Sequence, residues 1–274
     1  MEKTWQKRVR SYTQFVLVAA LLALLLKSCV VEAFRIPSGS MENTLLAGDF
    51  ILVNKFVYGR SLSYTIPFVD WELPGFRIPG FQSPAYNDVV VYEQRDASGR
   101  LQKYVKRCIA LPGDTLVIRN TVVYLNGTEF PPPRSATIDV GAVSPDNIPN
   151  SLIFPPGSPF NEDNYGPIRI PRRGDSIHVN TGNLRTWRSL IEREGHILDA
   201  ARGDVFIDGR KTSEYVIGRD YYFMMGDNRN NSLDSRFRGF IPAEDIIGKA
   251  MFVYWSIDRA TGDVRWSRVS TIVR

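Results

Sequence analysis

The chain is poor in the residues that most often carry chemistry outside a cytoplasm. It has two cysteines, Cys29 and Cys108, and two histidines, His178 and His196, in 274 residues. Two cysteines make no disulfide framework, and Cys29 falls within an apolar run that a folded domain would have to enter to reach it. No CxxC, HExxH or comparable ligand spacing occurs, so no metal is expected. Neither histidine lies in a segment that also offers a strong nucleophile candidate, and His178 follows the Pro-rich segment, which argues against a Ser-His-Asp triad. The net charge of +5 is modest, and the basic residues form no stripe interleaved with aromatics. Nucleic acid is therefore not expected as a partner.

Long apolar runs are also scarce, with one exception. Residues 1–11 carry Lys3, Lys7, Arg8 and Arg10 against Glu2, and Phe15–Leu26 ("FVLVAALLALLL") is unbroken apolar sequence. Extended to Val31, a helix of this length covers ~26 Å at ~1.5 Å per residue, close to a ~30 Å bilayer core. No small-x-small site follows closely, and "LKSC" matches a lipoprotein box only loosely. The expectation is an uncleaved single-pass anchor over 12–31, a cytoplasmic N-terminus over 1–11, and everything beyond residue 32 on the outer side.

Beyond the anchor the pattern is mainly two-fold. "GDFILVNKFVYG", "NDVVVYEQ", "KYVKRCIALPGDTLVI" and "IIGKAMFVYWSID" are rich in Val, Ile, Phe and Tyr, and Asn126-Gly127 and Asp208-Gly209 are hairpin turns. Gly-Asp recurs, at 48–49, 113–114 and 226–227 among others, and reads as turn punctuation. Helical periodicity is confined to Arg185–Glu194. Ten of the seventeen prolines fall between Pro131 and Pro171, which excludes a central strand there. These features predict a mainly β fold, twisted antiparallel sheets or a partial barrel, after one transmembrane helix. The catalytic core would comprise 32–128 and 203–274, with 129–202 a Pro-rich insertion or second β subdomain. Residues 61–86 mix six aromatics with four prolines, and either pack on the sheet or dip into the lipid interface.

With histidine scarce, the base left for a serine nucleophile is a desolvated lysine. Lys106 stands on a predicted strand, sharing one face with Tyr104 and Cys108 while Val105, Arg107 and Ile109 share the other. "RIPSGSM" (35–41), just past the apolar run, has the vocabulary of a linker by itself. "GDNRNNSLDSRFRGF" (226–240) brings Ser232, Asp234 and Arg236 at two-residue spacing, where Asp234 and Arg236 could support each other.

Taken in order, "IPSGSM", "TLLAGDFILVNKFVYG", "YVKRCIALPGDTLVIRNTVVYLNG" and "GDNRNNSLDSRFRGF" resemble the bacterial type I signal peptidases, serine–lysine enzymes of the cytoplasmic membrane. The resemblance implies Ser40 as nucleophile, Lys106 as general base, and Ser38 with the Ser40 backbone N–H as oxyanion donors. It implies Ser232 as the residue orienting the lysine amine, braced by Asp234 and Arg236. Phe34, Ile36, Met41, Leu45, Tyr104 and Val105 would line shallow pockets for small side chains at −1 and −3. No cofactor is implied. The partners implied are secreted preproteins and the lipid bilayer, with the secretion machinery a further candidate.

Gly39 reads as the spacer that lets the backbone turn between the serines. Asn43 stands where the family commonly has proline, which would loosen the turn, and Asn230 where it commonly has aspartate. Two other readings stay open. One is a processing peptidase dedicated to a single secretion or conjugation substrate; the other is a tethered β-rich binding module without catalysis.

Overall fold

The computed structural model describes residues 5, 11–19, 31–62, 76–95, 98–139, 144–145 and 148–274. Residues 11–19 are helical, with Tyr12, Phe15, Val16, Leu17 and Val18 exposed. Most of the expected anchor, 20–30, lies outside the described residues, and among those described no helix is long and apolar enough to cross a membrane.

The rest is mainly β, as the alternation predicts. Its centre is an eight-stranded antiparallel sheet whose middle strand, Ile246–Ser256, pairs with Asp49–Asn54 on one side and Val89–Arg95 on the other. Val31–Arg35 closes one end by pairing with Asp49–Asn54. Toward the other end, Val89–Arg95 pairs with Leu101–Ala110, which pairs in turn with Tyr221–Met225. Val, Ile and aromatic residues fill these strands because their branched or flat side chains pack on a pleated surface.

A second sheet orders Tyr165–Arg169, Thr115–Arg119, Val122–Leu125 and Thr128–Glu129. Tyr165–Arg169, from the Pro-rich segment, takes its edge with a register shift around Gly166-Pro167. That is where a residue without a backbone donor is tolerated. Asn126-Gly127 and Asp208-Gly209 adopt positive φ (53°, 84°, 50° and 76°), as two-residue hairpins require. Leu184–Arg193 is helical, as its periodicity predicts, and buries Leu184, Leu190 and Ile191.

One core cluster, with Ile36, Met41, Leu45, Ile51, Val53 and Val253, lies beneath the chain segment that follows the first strand. A larger one joins Ile109, Leu116, Ile153, Ile170, Leu190, Tyr221 and Phe223. Residues of 129–202 therefore share a core with strands on either side of them in sequence. Of the aromatic stretch 61–86, residues 63–75 lie outside the described residues. Phe81 is exposed and stacks edge-on to Phe56, and the Tyr86 hydroxyl donates to Asp114.

Candidate active site

The first strand runs on in register through Ile36, whose N–H donates to the Asp49 carbonyl. Pro37 ends the pairing, and the chain folds into a tight turn. The Leu45 N–H donates to the Met41 carbonyl at 2.7 Å, and both side chains are fully buried. Two apolar anchors in the core thus hold Ser40 half-buried at the start of the turn. Gly39 has no positive φ, and a Cβ there would meet its nearest atom, Glu42 Oε2, at an ordinary 3.5 Å. The spacer role expected of Gly39 is therefore not a backbone requirement.

Lys106 lies on the long strand Leu101–Ala110, opposite Val90. Its face includes Tyr104 and Cys108, as the alternation predicts, against a cluster with Val90, Tyr92 and Met224. Only 4% of Lys106 is exposed, and burial pulls its pKa down to about 8, with Asp234 opposing the shift. Its Nζ and the Ser40 Oγ are 2.5 Å apart. The pair is an amine that loses its proton near neutrality beside a hydroxyl that can give one up.

The loop after Tyr221–Met225 closes the site. Asn228 N–H donates to the Ser40 carbonyl at 3.1 Å. Asp234 and Arg236 are both fully buried and form a two-pronged ion pair, Nε–Oδ1 and Nη2–Oδ2 each 2.9 Å. Burial works to raise the Asp234 pKa, yet the Arg236 charge and hydrogen bonds hold it below the usual carboxylate value. Ser232, Asp234 and Arg236 do not form one row facing the site. Ser232 reaches a cavity beside Lys106, where its hydroxyl is buried with no hydrogen-bond partner among the described residues. Gly226 is required here, because a Cβ would stand 2.2 Å from Ser232 Oγ and 2.5 Å from the Ser40 carbonyl.

Sequence reasoning missed a second buried ion pair. Arg107, next to the lysine, holds Asp227, next to Gly226, through Nε–Oδ1 at 2.7 Å and Nη2–Oδ2 at 2.6 Å. Thr44 of the turn that carries Ser40 and Ser135 of the Pro-rich segment also donate to Asp227. Burial tends to raise the Asp227 pKa, but Arg107 and these hydroxyls keep it below its ordinary value. The Gly-Asp pair at 226–227 is thus a structural charge as well as a turn. Asp49, fully buried, likewise binds Arg268 and Ser256.

The departures at Asn43 and Asn230 also have roles. Asn43 has φ 73°, and its amide donates to Thr137 Oγ1 at 2.6 Å and to the Ser135 carbonyl at 3.2 Å. Asn230 Oδ1 accepts from the Asp139 N–H at 3.0 Å. The turn is therefore not loosened by losing a proline; it is tied to the insertion.

Two cavities flank the contact between Ser40 and Lys106. One of about 360 Å³ is lined by Phe34, Ile36, Ser38, Met41, Tyr104 and Val105 with Ser40 and Lys106. Leu45, expected at its wall, lies wholly in the core beneath. The second, about 390 Å³, lies toward Asn230–Leu233 and shares Ser38, Ser40, Tyr104 and Lys106. The first lies between two strands with open edges. Among the described residues, Val31–Arg35 pairs on one side, with Asp49–Asn54. Residues 101–106 pair on one side with Val89–Arg95, whereas Tyr221–Met225 joins the other side from Arg107 onward. His196 pairs with Asp208 at 2.6 Å, and neither histidine lines either cavity.

A serine hydroxyl against a desolvated lysine, at the end of a cleft between strand edges left open among the described residues, has the make-up of a serine peptidase site. The chain belongs to the family described as signal peptidase, peptidase S26, whose model matches residues 9–255. It is similar to Signal peptidase I of Rickettsia canadensis (strain McKiel), 30% identical over 239 residues, covering 86% of this chain and 76% of that protein. Signal peptidase I of Haemophilus influenzae is 27% identical over 278 residues, covering 92% and 72%. That of Buchnera aphidicola subsp. Baizongia pistaciae is 25% identical over 270 residues, covering 92% and 80%.

Proposed function

We propose that this peptidase removes signal peptides from exported preproteins, cleaving after small-x-small sequences with Ser40 as nucleophile and Lys106 as general base. The observation that carries the reading is the 2.5 Å contact between Ser40 Oγ and the buried Lys106 amine. An extended preprotein segment lies between Val31–Arg35 and residues 101–106, adding a strand to both edges. Its −1 and −3 side chains point toward Ile36, Met41, Phe34 and Val105, where the core leaves little depth.

Neutral Lys106 takes the Ser40 proton as Oγ bonds to the scissile carbonyl carbon. The oxyanion is held by the Ser38 hydroxyl and the Ser40 N–H, a contribution of about 3 kcal/mol for a good donor. Ser38 is exposed and lines both cavities, which leaves its hydroxyl free to turn toward that oxygen. The protonated lysine then gives its proton to the leaving amine as the C–N bond breaks. A water deprotonated by the same lysine attacks the acyl-enzyme and restores Ser40. Ser232, the buried hydroxyl without a partner, orients the amine once it leaves the serine, and Asp234 and Arg236 hold that loop.

The bilayer is the second partner, through an anchor over 12–31 that keeps the catalytic domain on the extracytoplasmic face, where cleavage sites emerge. The secretion machinery delivers the substrate there. The test is cleavage of a preprotein by the full chain in detergent. Ser40→Ala and Lys106→Ala should each abolish it, and an acylating serine inhibitor should add its mass to Ser40. Full activity in either variant would overturn the assignment.

A further inference from the structure

The floor of the cleft changes character along its length. Glu32, Phe34 and Ile36 alternate along one edge, and Lys103 and Val105 along the other. Near Ser40 the floor is apolar, since Phe34 and Val105 pack on the cluster that contains Ile36 and Met41. At the far end, where Lys103 lines the cavity and Glu32 stands just beyond its lining, the surface is charged. Lys103 Nζ lies 2.9 Å from Glu32 Oε1, joining the two edges, and 5.0 Å from the Phe34 ring. Lys55, itself buried, lies 3.4 Å from Glu32, and Glu93 lies 3.8 Å from Lys103, so two cations meet two anions.

An extended peptide turns every second side chain to the same face, at ~3.3 Å per residue. If −1 lies over Ile36 and −3 over Phe34, then −5 lies over Glu32, ~13 Å from −1 on both chains. We propose that the Glu32–Lys103 pair is a subsite for the residue five before the scissile bond, one that accepts polar side chains and rejects large apolar ones. The proposal rests on the assignment of Ser40 and Lys106.

The physical reason is desolvation. An apolar side chain laid over this ion pair strips its water and offers no hydrogen bond in return. A polar side chain replaces that water. Because both signs of charge are present among the described residues, the discrimination is by polarity rather than by sign of charge. The consequence for a preprotein is a ruler: its apolar segment cannot slide into the cleft past −5.

The test uses the full chain in detergent and a preprotein panel with alanine at −1 and −3 and Asn, Ser, Leu or Phe at −5. The wild type should cleave the Leu and Phe members with kcat/KM about tenfold below the Asn member. In Glu32→Leu/Lys103→Leu, and less fully in Lys103→Met, that ratio should fall to about twofold or reverse. A flat wild-type profile across −5 would overturn the subsite by itself, whether or not the variants fold. An unchanged ratio in folded variants would also overturn it. Failure to cleave any member would instead count against the dyad.

Discussion

Arg107 grips Asp227 through two hydrogen bonds, of 2.7 and 2.6 Å, with both side chains buried. One partner is bonded in sequence to Lys106 and the other to Gly226, so this single pair fastens the lysine strand to the loop that closes the site. Thr44 and Ser135 donate to the same carboxylate and bring in the turn that carries Ser40 and the Pro-rich segment. Replacing Asp227 by Asn leaves the guanidinium buried with half its partner gone. Such a break typically costs about 3–5 kcal/mol. Asp227→Asn should therefore lower the denaturant midpoint strongly, and the folded fraction should show reduced kcat. A midpoint within error of wild type would refute the bracing role.

The depressed Lys106 pKa, about 8, sets a pH dependence with a definite sign. A base must be neutral to act, so kcat/KM should fall about tenfold per pH unit well below 8 and level off above it. A profile flat down to pH 6 would exclude a lysine base. Stability moves the same way. Unfolded lysine holds its proton up to about 10.4 while the folded one loses it near 8, so this residue's contribution rises with pH between those values. Lys106→Met removes the buried cation and should be at least as stable as wild type at pH 7, though inactive, in a thermal melt.

Gly226→Ala places a methyl carbon 2.2 Å from Ser232 Oγ and 2.5 Å from the Ser40 carbonyl. Something must shift, and both neighbours belong to the site. Overpacking of this kind costs about 1–3 kcal/mol, and a displacement near 1 Å at reacting atoms can cost about 100-fold in rate. The variant should fold, with its kcat reduced far more than its KM is raised. Wild-type kcat would show that this contact is slack.

Asn43 has a positive φ of 73° that proline cannot adopt. Asn43→Pro should thus be destabilising by about 1–3 kcal/mol, besides losing the bonds to Thr137 and Ser135. Asn43→Gly keeps the backbone and loses only those bonds, so it should stay within about 1 kcal/mol of wild type. Equal midpoints for the two variants would contradict this account.

Much of the chemistry was legible from the chain alone. The shortage of histidine pointed to lysine, and the two-residue alternation put Lys106 on the face of Tyr104 and Cys108, where the fold buries it. Branched and aromatic runs specified strands, and Asn126-Gly127 and Asp208-Gly209 specified hairpins, because these are local steric preferences. What the chain could not reveal is which distant polar groups meet. Asp227 looked like turn punctuation until the sheet order brought Arg107 onto it, and Asn43 looked like a lost proline until residues 135–139 were seen folded against it. Ser232 carries no local sign of burial and is singled out only by the resemblance; the fold buries its hydroxyl beside the lysine. Residue type and period are written locally, so the sequence determined strands and turns and the face of the strand on which Lys106 stands. Pairing between segments more than sixty residues apart depends on register and packing, so the tertiary structure alone decided the 2.5 Å contact between Ser40 and Lys106 and the Arg107–Asp227 ion pair beside it.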